Sequence, residues 1–407
     1  MLLGIHLTLM IGPTIAVFAP PLFMEALANV EVRTSDQGRS VFQITFQVGR
    51  AGPLDLLDHP LLLNPLLLRP FNRVVIVVTF NVMPRVLFDG VITNVQLAPN
   101  NEPGQSTLTV TGEDISLMLD RQDQQFPWPS VTDDNVVRTV LLKYAQYAIA
   151  PTFVFPMIPP RVDPPTRNVP VQANTTDLRY ITCLAARNGY VFYIKPGPAP
   201  NTNVAYWGPP EFSFPQKSLS VNMGPDSNVN SINFSYDALA PRLIEGRIQD
   251  SETNVAMPIR SLPMRTRVPM AREPAHLVNL ANVRRSAPPV TAACGGGAMG
   301  DAAGGAESEC GHARSMHGLD FAQAQARAQA ALDASTDEVV TATGELDALQ
   351  YGNILEARNK VCLRGAGQSY DGLYRVKDVT HTIRRGEYKQ RFTLTREGTG
   401  TLTPLCP

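Results

Sequence analysis

Asn72-Arg73-Val74-Val75-Ile76, then Phe88-Asp89-Gly90-Val91-Ile92, then Thr107-Leu108-Thr109-Val110-Thr111-Gly112-Glu113 follow one another in the first part of the chain. A similar series returns near the other end as Asn359-Lys360-Val361-Cys362-Leu363, Tyr370-Asp371-Gly372-Leu373-Tyr374 and Phe392-Thr393-Leu394-Thr395-Arg396-Glu397-Gly398. β-Branched and aromatic residues dominate each piece and alternate with polar ones, which is the period of a half-buried strand. The Asp-Gly step in each copy supplies turn-forming residues before an outgoing strand, so Asp89-Gly90 and Asp371-Gly372 are expected at equivalent corners. Shared order and polarity predict an internal duplication, with one chain carrying two copies of one small β-barrel.

Outward from the first copy, Val30, Val32 and Thr34 alternate up to the turn Ser35-Asp36-Gln37-Gly38, and Phe42, Ile44 and Phe46 alternate after it, which reads as a hairpin. Upstream, Leu7 to Ile11 reads as a buried strand followed by an extended arm; Met1 to Leu27 has no Lys or Arg, and Gly12-Pro13 and Pro20-Pro21 break any spanning helix, so neither secretion signal nor membrane anchor is expected. Leu54 to Phe71 is leucine-rich but cut by Pro60, Pro65 and Pro70, and packs over a barrel mouth or a neighbouring subunit.

Between Thr132 and Trp207 the period changes. Asn135, Val136, Val140 and Tyr144 have helical spacing behind Thr132-Asp133-Asp134, and a second helix, Leu178 to Arg187, stops at Asn188-Gly189 before a strand from Tyr190 to Ile194. Strand alternation returns over Val229 to Ile248 and from Glu338 to Thr401. Arg260 to His317 has no sustained period and holds a glycine- and alanine-rich run, and Leu319 to Ala334 is helix-prone. The organisation expected is mainly β with an α+β insertion: a first barrel over 1–118, an α+β module over 119–224, a second barrel over 225–259 and 335–402, and an insertion over 260–334.

Composition narrows the function classes. In 407 residues, 35 prolines and 29 glycines with only 17% charged residues disfavour helical bundles, and 35 basic against 36 acidic residues leave a net charge of -1, too little to draw in nucleic acid or an anionic membrane. Five scattered cysteines, Cys183, Cys294, Cys310, Cys362 and Cys406, fit free thiols in a reducing compartment, with Cys183 on the apolar face of its helix. Cys294, Cys310, His312 and His317 are candidate metal ligands, but they lack the tight Cys-x-x-Cys turn, and no metal or other cofactor is expected. Glu113-Asp114 and Asp133-Asp134 read as solvated or capping carboxylates rather than catalytic pairs, and the run at Gly295 lacks the Lys-Ser/Thr ending of a phosphate loop. The basic stretch from Tyr351 onward reads as a solvated barrel face or one that meets an acidic neighbour.

Taken as an ordered series, Leu87-Phe88-Asp89-Gly90-Val91-Ile92, Val110-Thr111-Gly112-Glu113-Asp114, Gln172 to Tyr180, Asn188-Gly189-Tyr190, Gly344-Glu345-Leu346-Asp347, Tyr351-Gly352 and Gly372-Leu373-Tyr374-Arg375-Val376 through His381 resembles the baseplate central hub of contractile injection machines. This is the late control gene D family of phage tails, together with the hub portion of type VI secretion spike proteins. The resemblance implies a homotrimer whose two barrels per chain form a pseudo-six-fold ring, a symmetry adaptor between a six-fold inner tube and a three-fold spike. It further implies a non-enzymatic structural protein of a phage tail or extracellular contractile injection system. Its partners would be the inner-tube protein, a spike protein on a separate chain, since no spike region follows Pro407, and other baseplate components. Assembly would be cytoplasmic, before incorporation into a virion or particle. The alternative class is a tail-tip cell-wall hydrolase or other host-surface-acting virion protein.

Overall fold

A computed structural model of the chain describes residues 5–402 apart from 37, 49–66, 81–82, 103, 129–131, 154–170, 188, 211–214, 250–254, 263–267, 276–283 and 287–320. The first part is built of β1 (His6–Gly12), β2 (Val17–Phe18), helix α1 (Pro21–Ala26), β3 (Leu27–Ser35), β4 (Val41–Gln47), β5 (Arg73–Phe80), β6 (Met83–Ala98) and β7 (Thr107–Asp114). After the predicted N-terminal strand the chain forms β2 and α1 rather than an extended arm, because Ala16 and Phe23 have apolar neighbours to pack on. β4 and β7 alternate buried and exposed residues, as the sequence period requires. β5 is apolar from Val74 to Val78 because it is covered on both faces: Val74, Ile76 and Val78 enter the main core, and Val75 and Val77 pack with Met10 and Ala16.

The middle of the chain carries β8 (Asp123–Pro127), helix α2 (Asp133–Leu142), β9 (Ile149–Phe153), β10 (Val171–Thr176), helix α3 (Asp177–Arg187), β11 (Val191–Pro196) and β12 (Asn203–Gly208). Val136, Val137, Val140 and Leu141 on α2 meet Tyr180, Ile181 and Leu184 on α3 over a small sheet that includes the buried Trp207, giving this stretch its own core. Asp133 and Asp134 occupy the first turn of α2, where carboxylates suit the helix N-terminus.

The remainder comprises β13 (Gln216–Ser220), β14 (Ser231–Tyr236), β15 (Arg242–Gln249), β16 (Ala256–Arg260), β17 (Ala271–Pro274), β18 (Arg284–Ser286), helix α4 (Phe321–Thr336), β19 (Val340–Asp347), helix α5 (Ala348–Tyr351), β20 (Lys360–Arg364), β21 (Gly372–Arg384), β22 (Glu387–Arg396) and β23 (Gly398–Thr401). A second core gathers Val340, Ala342, Leu346, Val361, Leu363, Tyr374, Val376, Val379, Phe392 and Leu394. α4 lies against β15 and β16 through Ala328, Ile244 and Ile259.

One antiparallel meander occurs twice. β3, β4, β5, β6 and β7 lie in the order β3-β4-β7-β6-β5, and β14, β19, β20, β21 and β22 lie in the order β14-β19-β22-β21-β20. Chain order maps onto sheet order identically in both, and all the pairings within both sets are antiparallel. Both carry a bulge at the same place: pairing with the last strand shifts between Ile92 and Asn94 in β6, and between Val376 and Asp378 in β21. The two meanders are joined in one 13-stranded sheet by β21 pairing with β3.

The bulge fixes the equivalences and corrects one expectation. Counting back from it, Asp89-Gly90 corresponds to Leu373-Tyr374, not to Asp371-Gly372. Asp89 and Gly90 lie within β6, paired with Val75 and Val74, and form no corner, whereas Gly372 starts β21 with φ 125°. Gly90 serves a different need: a Cβ there would overlap the Glu113 carbonyl oxygen and the Phe88 ring. Gly90→Ala should therefore force β6 and β7 apart and lower stability by roughly 3 kcal/mol, while Gly372→Ala, whose Cβ would meet only side-chain atoms of Arg396 and Thr401 at 3.1 and 3.3 Å, should cost about 1 kcal/mol, chiefly from backbone strain. Urea unfolding of the two variants checks this; equal losses would contradict it.

Candidate functional site: the seam and the free edges of the sheet

β21 is long enough to serve two neighbours along one edge. Gly372 to Arg375 pair with β20, and Asp378 to Arg384 pair with β3 in the register Asp378 to Ser35 through Arg384 to Asn29. Between them the bulge residue Lys377 turns its carbonyl toward the β3–β4 turn, where it accepts from the Asp36 backbone N–H at 2.8 Å. The Asp36 carboxylate meets the Arg375 guanidinium, which also faces Asp337 at 3.7 Å. Burial pushes the Asp36 carboxyl above its ordinary pKa despite Arg375.

On the core side of the seam, His381 stands opposite Val32, with Nδ1 3.0 Å from the Tyr388 hydroxyl. The imidazole is 1% exposed, and burial drives its pKa down to about 3, so it is neutral in the fold. Burial also pushes the Tyr388 phenol well up. The main core continues across the seam, since Ile383 and Tyr388 pack with Val30, Val32 and Ile44.

In the first meander no described strand pairs with the corresponding edge, although β11 packs against part of β6. β6 pairs with β5 only as far as Val91, and residues 94–98 pair with β7 alone. Leu97, which corresponds to His381, is 46% exposed. At the other end of the sheet β14 pairs with β19 only, and Tyr236 is likewise 46% exposed. The described sheet thus ends its two meanders on the counterparts of the two strand edges that meet at the seam. Periodicity marks these strands but not which edges remain open, so sequence reasoning missed them.

A buried ion pair within the first meander, Arg73 with Asp89, is met by the middle module through Asn203 and the Tyr147 carbonyl. Arg73 donates from Nε and Nη2 to the two Asp89 oxygens, both at 2.7 Å, and from Nη1 to the Thr14 carbonyl at 3.1 Å. Asn203 on β12 donates to Asp89 at 3.4 Å and to the Tyr147 carbonyl at 3.3 Å. Burial raises the Asp89 pKa, against the Arg73 hydrogen bonds that lower it.

Other residues singled out by the sequence fall elsewhere. Cys294, Cys310, His312 and His317 lie outside the described residues, as does most of the leucine-rich segment; among the described residues no group of three or more His, Cys, Asp or Glu could hold a metal. Cys183 and Cys362 are both disulfide-bonded, which corrects the expectation of free thiols: each is buried where a second sulfur is in reach. Much of the basic stretch is internally matched, with Arg391 on Glu345 at 3.0 Å, Lys377 on Glu338 at 2.8 Å and Arg396 donating to the Asp371, Ser369 and Gly398 carbonyls. Glu113 pairs with Arg39 at 2.7 Å, and Asp114 caps the following turn through Ser116. A pocket of about 480 Å³ beside the end of the seam is lined mainly by apolar side chains, among them Leu7, Met24, Leu27, Leu349, Ile383 and Tyr388. No helix among the described residues is long and apolar enough to cross a membrane.

No protein-family model matches the chain, and no curated protein matches it in sequence. Solved structures match it along nearly its whole length. A tail protein from Neisseria meningitidis MC58 superposes with a TM-score of 0.59 at 10% identity over 98% of each chain. A 43 kDa tail protein of prophage MuSo2 from Shewanella oneidensis gives 0.59 at 10% identity, over 97% of this chain and 99% of that one. A component of the type VI secretion system of E. coli, itself structurally similar to the T4 bacteriophage tail proteins gp27 and gp5, gives 0.51 at 13% identity over 94% and 77%. The chain has a mainly β fold, with a large antiparallel sheet, shared with phage tail and type VI secretion proteins.

Two outcomes follow from the buried polar groups. Asp89→Ala leaves the Arg73 charge buried without its carboxylate and should cost about 3–5 kcal/mol in urea unfolding, whereas replacing both residues with apolar ones of similar volume should recover most of it. The His381 pKa falls from 6.5 to about 3 on folding, so across that window the unfolded chain binds more protons and stability drops as pH falls. His381→Leu, the residue found at the equivalent position 97, should flatten the dependence of the urea midpoint between about pH 7 and about pH 4.5 by up to about 1.4 kcal/mol per pH unit. An unchanged slope would contradict a buried neutral imidazole.

Proposed function

We propose that this chain is the central hub subunit of a contractile tail baseplate, in a phage or an extracellular contractile injection system, of the late control gene D kind. It acts as a homotrimer whose two meanders per chain provide six similar positions around one axis, so that a six-fold inner tube can rest on one rim while a three-fold spike is held at the other. The observation that carries this reading is the doubled meander with a shared bulge, two like units in series on one chain. Whole-length likeness in fold to phage tail and type VI secretion proteins supports it. Residues 1–118 form the first tube-like unit and the strands of 225–259 and 335–402 that join the main sheet form the second, while 119–224, 260–334 and the β15–β16 pair beside α4 decorate the ring. Its work is mechanical rather than enzymatic: it matches symmetries and transmits force between tube and spike, with other baseplate proteins around it. Assembly takes place in the cytoplasm before the hub enters a virion or particle.

Native mass spectrometry of the purified chain should give a species of three times 44.4 kDa. A monomer at micromolar concentration, or muralytic activity in a zymogram, would overturn the reading.

A further inference from the structure

We propose that the pocket beside the end of the seam is a binding site for an extended peptide tail that ends in a large apolar residue with a free carboxylate, added as a strand to the open part of β1. Three features meet there, an apolar floor, a stretch of unpaired backbone and two exposed arginines, and none of them depends on the hub reading.

β1 pairs with β5 along its whole length, but on its other side only Met10 and Ile11 pair with β2, followed by one bond from the Ala19 N–H to the Leu9 carbonyl. Backbone groups in an antiparallel strand point alternately to its two sides, so Leu7 presents its N–H and C=O to the same side as Leu9. No described strand pairs with Leu7 there. The line of β2 stops because Pro20 and Pro21 have no N–H to offer, and the chain leaves it to form α1. The place opposite Leu7 is thereby left open to another strand.

Leu7, Met24, Leu27, Leu349, Ile383 and Tyr388 give the pocket its apolar lining, and its volume of about 480 Å³ falls within the range of roughly 300–1,000 Å³ that holds ligands. Side chains alternate along a strand, so every second residue of a peptide laid beside Leu7 would share its face and enter the pocket. At the rim, the turn between β21 and β22 contributes Arg384, Arg385 and Glu387. Both arginines are exposed, Arg384 donating to Asn29 at 3.4 Å and Arg385 to the Glu25 carbonyl. Glu387, though near Arg384, takes its hydrogen bond from Lys389 at 2.6 Å, which leaves the two arginines in excess for a terminal carboxylate. Strand addition with capture of an end group is a recurrent way of holding peptides. A fatty acid would share the apolar body and the carboxylate but would offer the Leu7 N–H and C=O no partner, so the open backbone favours a peptide.

The test is fluorescence anisotropy on the full-length chain with fluorescein-labelled peptides of sequence Ser-Thr-Val-Thr-Val followed by Leu, Ile, Val or Phe with a free carboxylate. At least one should bind with a dissociation constant on the order of 10 μM. Amidating its carboxylate, or replacing both Arg384 and Arg385 with Gln, should weaken binding about tenfold. Methylating the peptide's backbone amides one at a time should weaken it about tenfold at alternate positions only, the mark of one strand edge in use. Ala28→Trp, at an exposed position on the pocket wall, should abolish binding and leave the urea midpoint unchanged. No binding of any of the four peptides up to about 1 mM, binding untouched by Ala28→Trp, or indifference to every methylated amide overturns the proposal. Displacement of nothing but direct binding of tetradecanoate, with all four peptides inert, assigns the pocket to a fatty acid and overturns it too. A trimer that binds no peptide sinks this site and spares the hub, and a monomer that binds one does the reverse.

Discussion

The pairing of β21 with β3 is the contact on which the rest of the molecule depends. A sheet edge is a row of backbone donors and acceptors that must find partners, and 13 residues of β21 supply more edge than the short β20 can cover. The surplus, beyond the bulge at Lys377, is taken up by β3, so a strand from the end of the chain pairs with one from its beginning. Because the core runs through this seam, the two meanders share side chains as well as backbone bonds. The bulge matters twice: it redirects β21 toward its second partner, and it presents the Lys377 carbonyl to Asp36.

Around this seam the structure places its buried charges where separate parts of the chain must stay in register. Arg375 with Asp36 and Asp337 stands beside the seam, and Arg73 with Asp89 and Asn203 stands between the first meander and the middle module. Such pairs add little net stability, since desolvation offsets most of their attraction, but removing one partner is costly. In the proposed hub ring, which would carry load between two bodies of different symmetry, fixed registers would matter more than a deeper core.

Much of the fold was legible in the sequence because alternation and helix spacing are local. The strands of both meanders, the helix begun by Asp133 and Asp134, and the helix ending near Arg187 all follow from periods and caps. The repeat was legible as an order of strands but not as an alignment. Asp89-Gly90 and Asp371-Gly372 look alike because Asp-Gly is a turn signal, yet in β6 the aspartate is half of a buried ion pair and the glycine makes room for β7. Those needs arise from strands distant in sequence and leave no mark on local composition. The open edges were illegible for a similar reason: Leu97 and His381 occupy equivalent positions, and His381 is buried by β3 and Tyr388, neighbours that its own strand does not encode.

Under the proposed function, two like units per chain close with those of neighbouring copies into a ring. Electron microscopy of the purified oligomer tests it most directly. Class averages viewed down the axis should show six similar lobes with three-fold symmetry, alternate lobes differing by the decorations from 119–224 and 260–334. A compact single-chain particle, a two-fold dimer, or an open filament would contradict it.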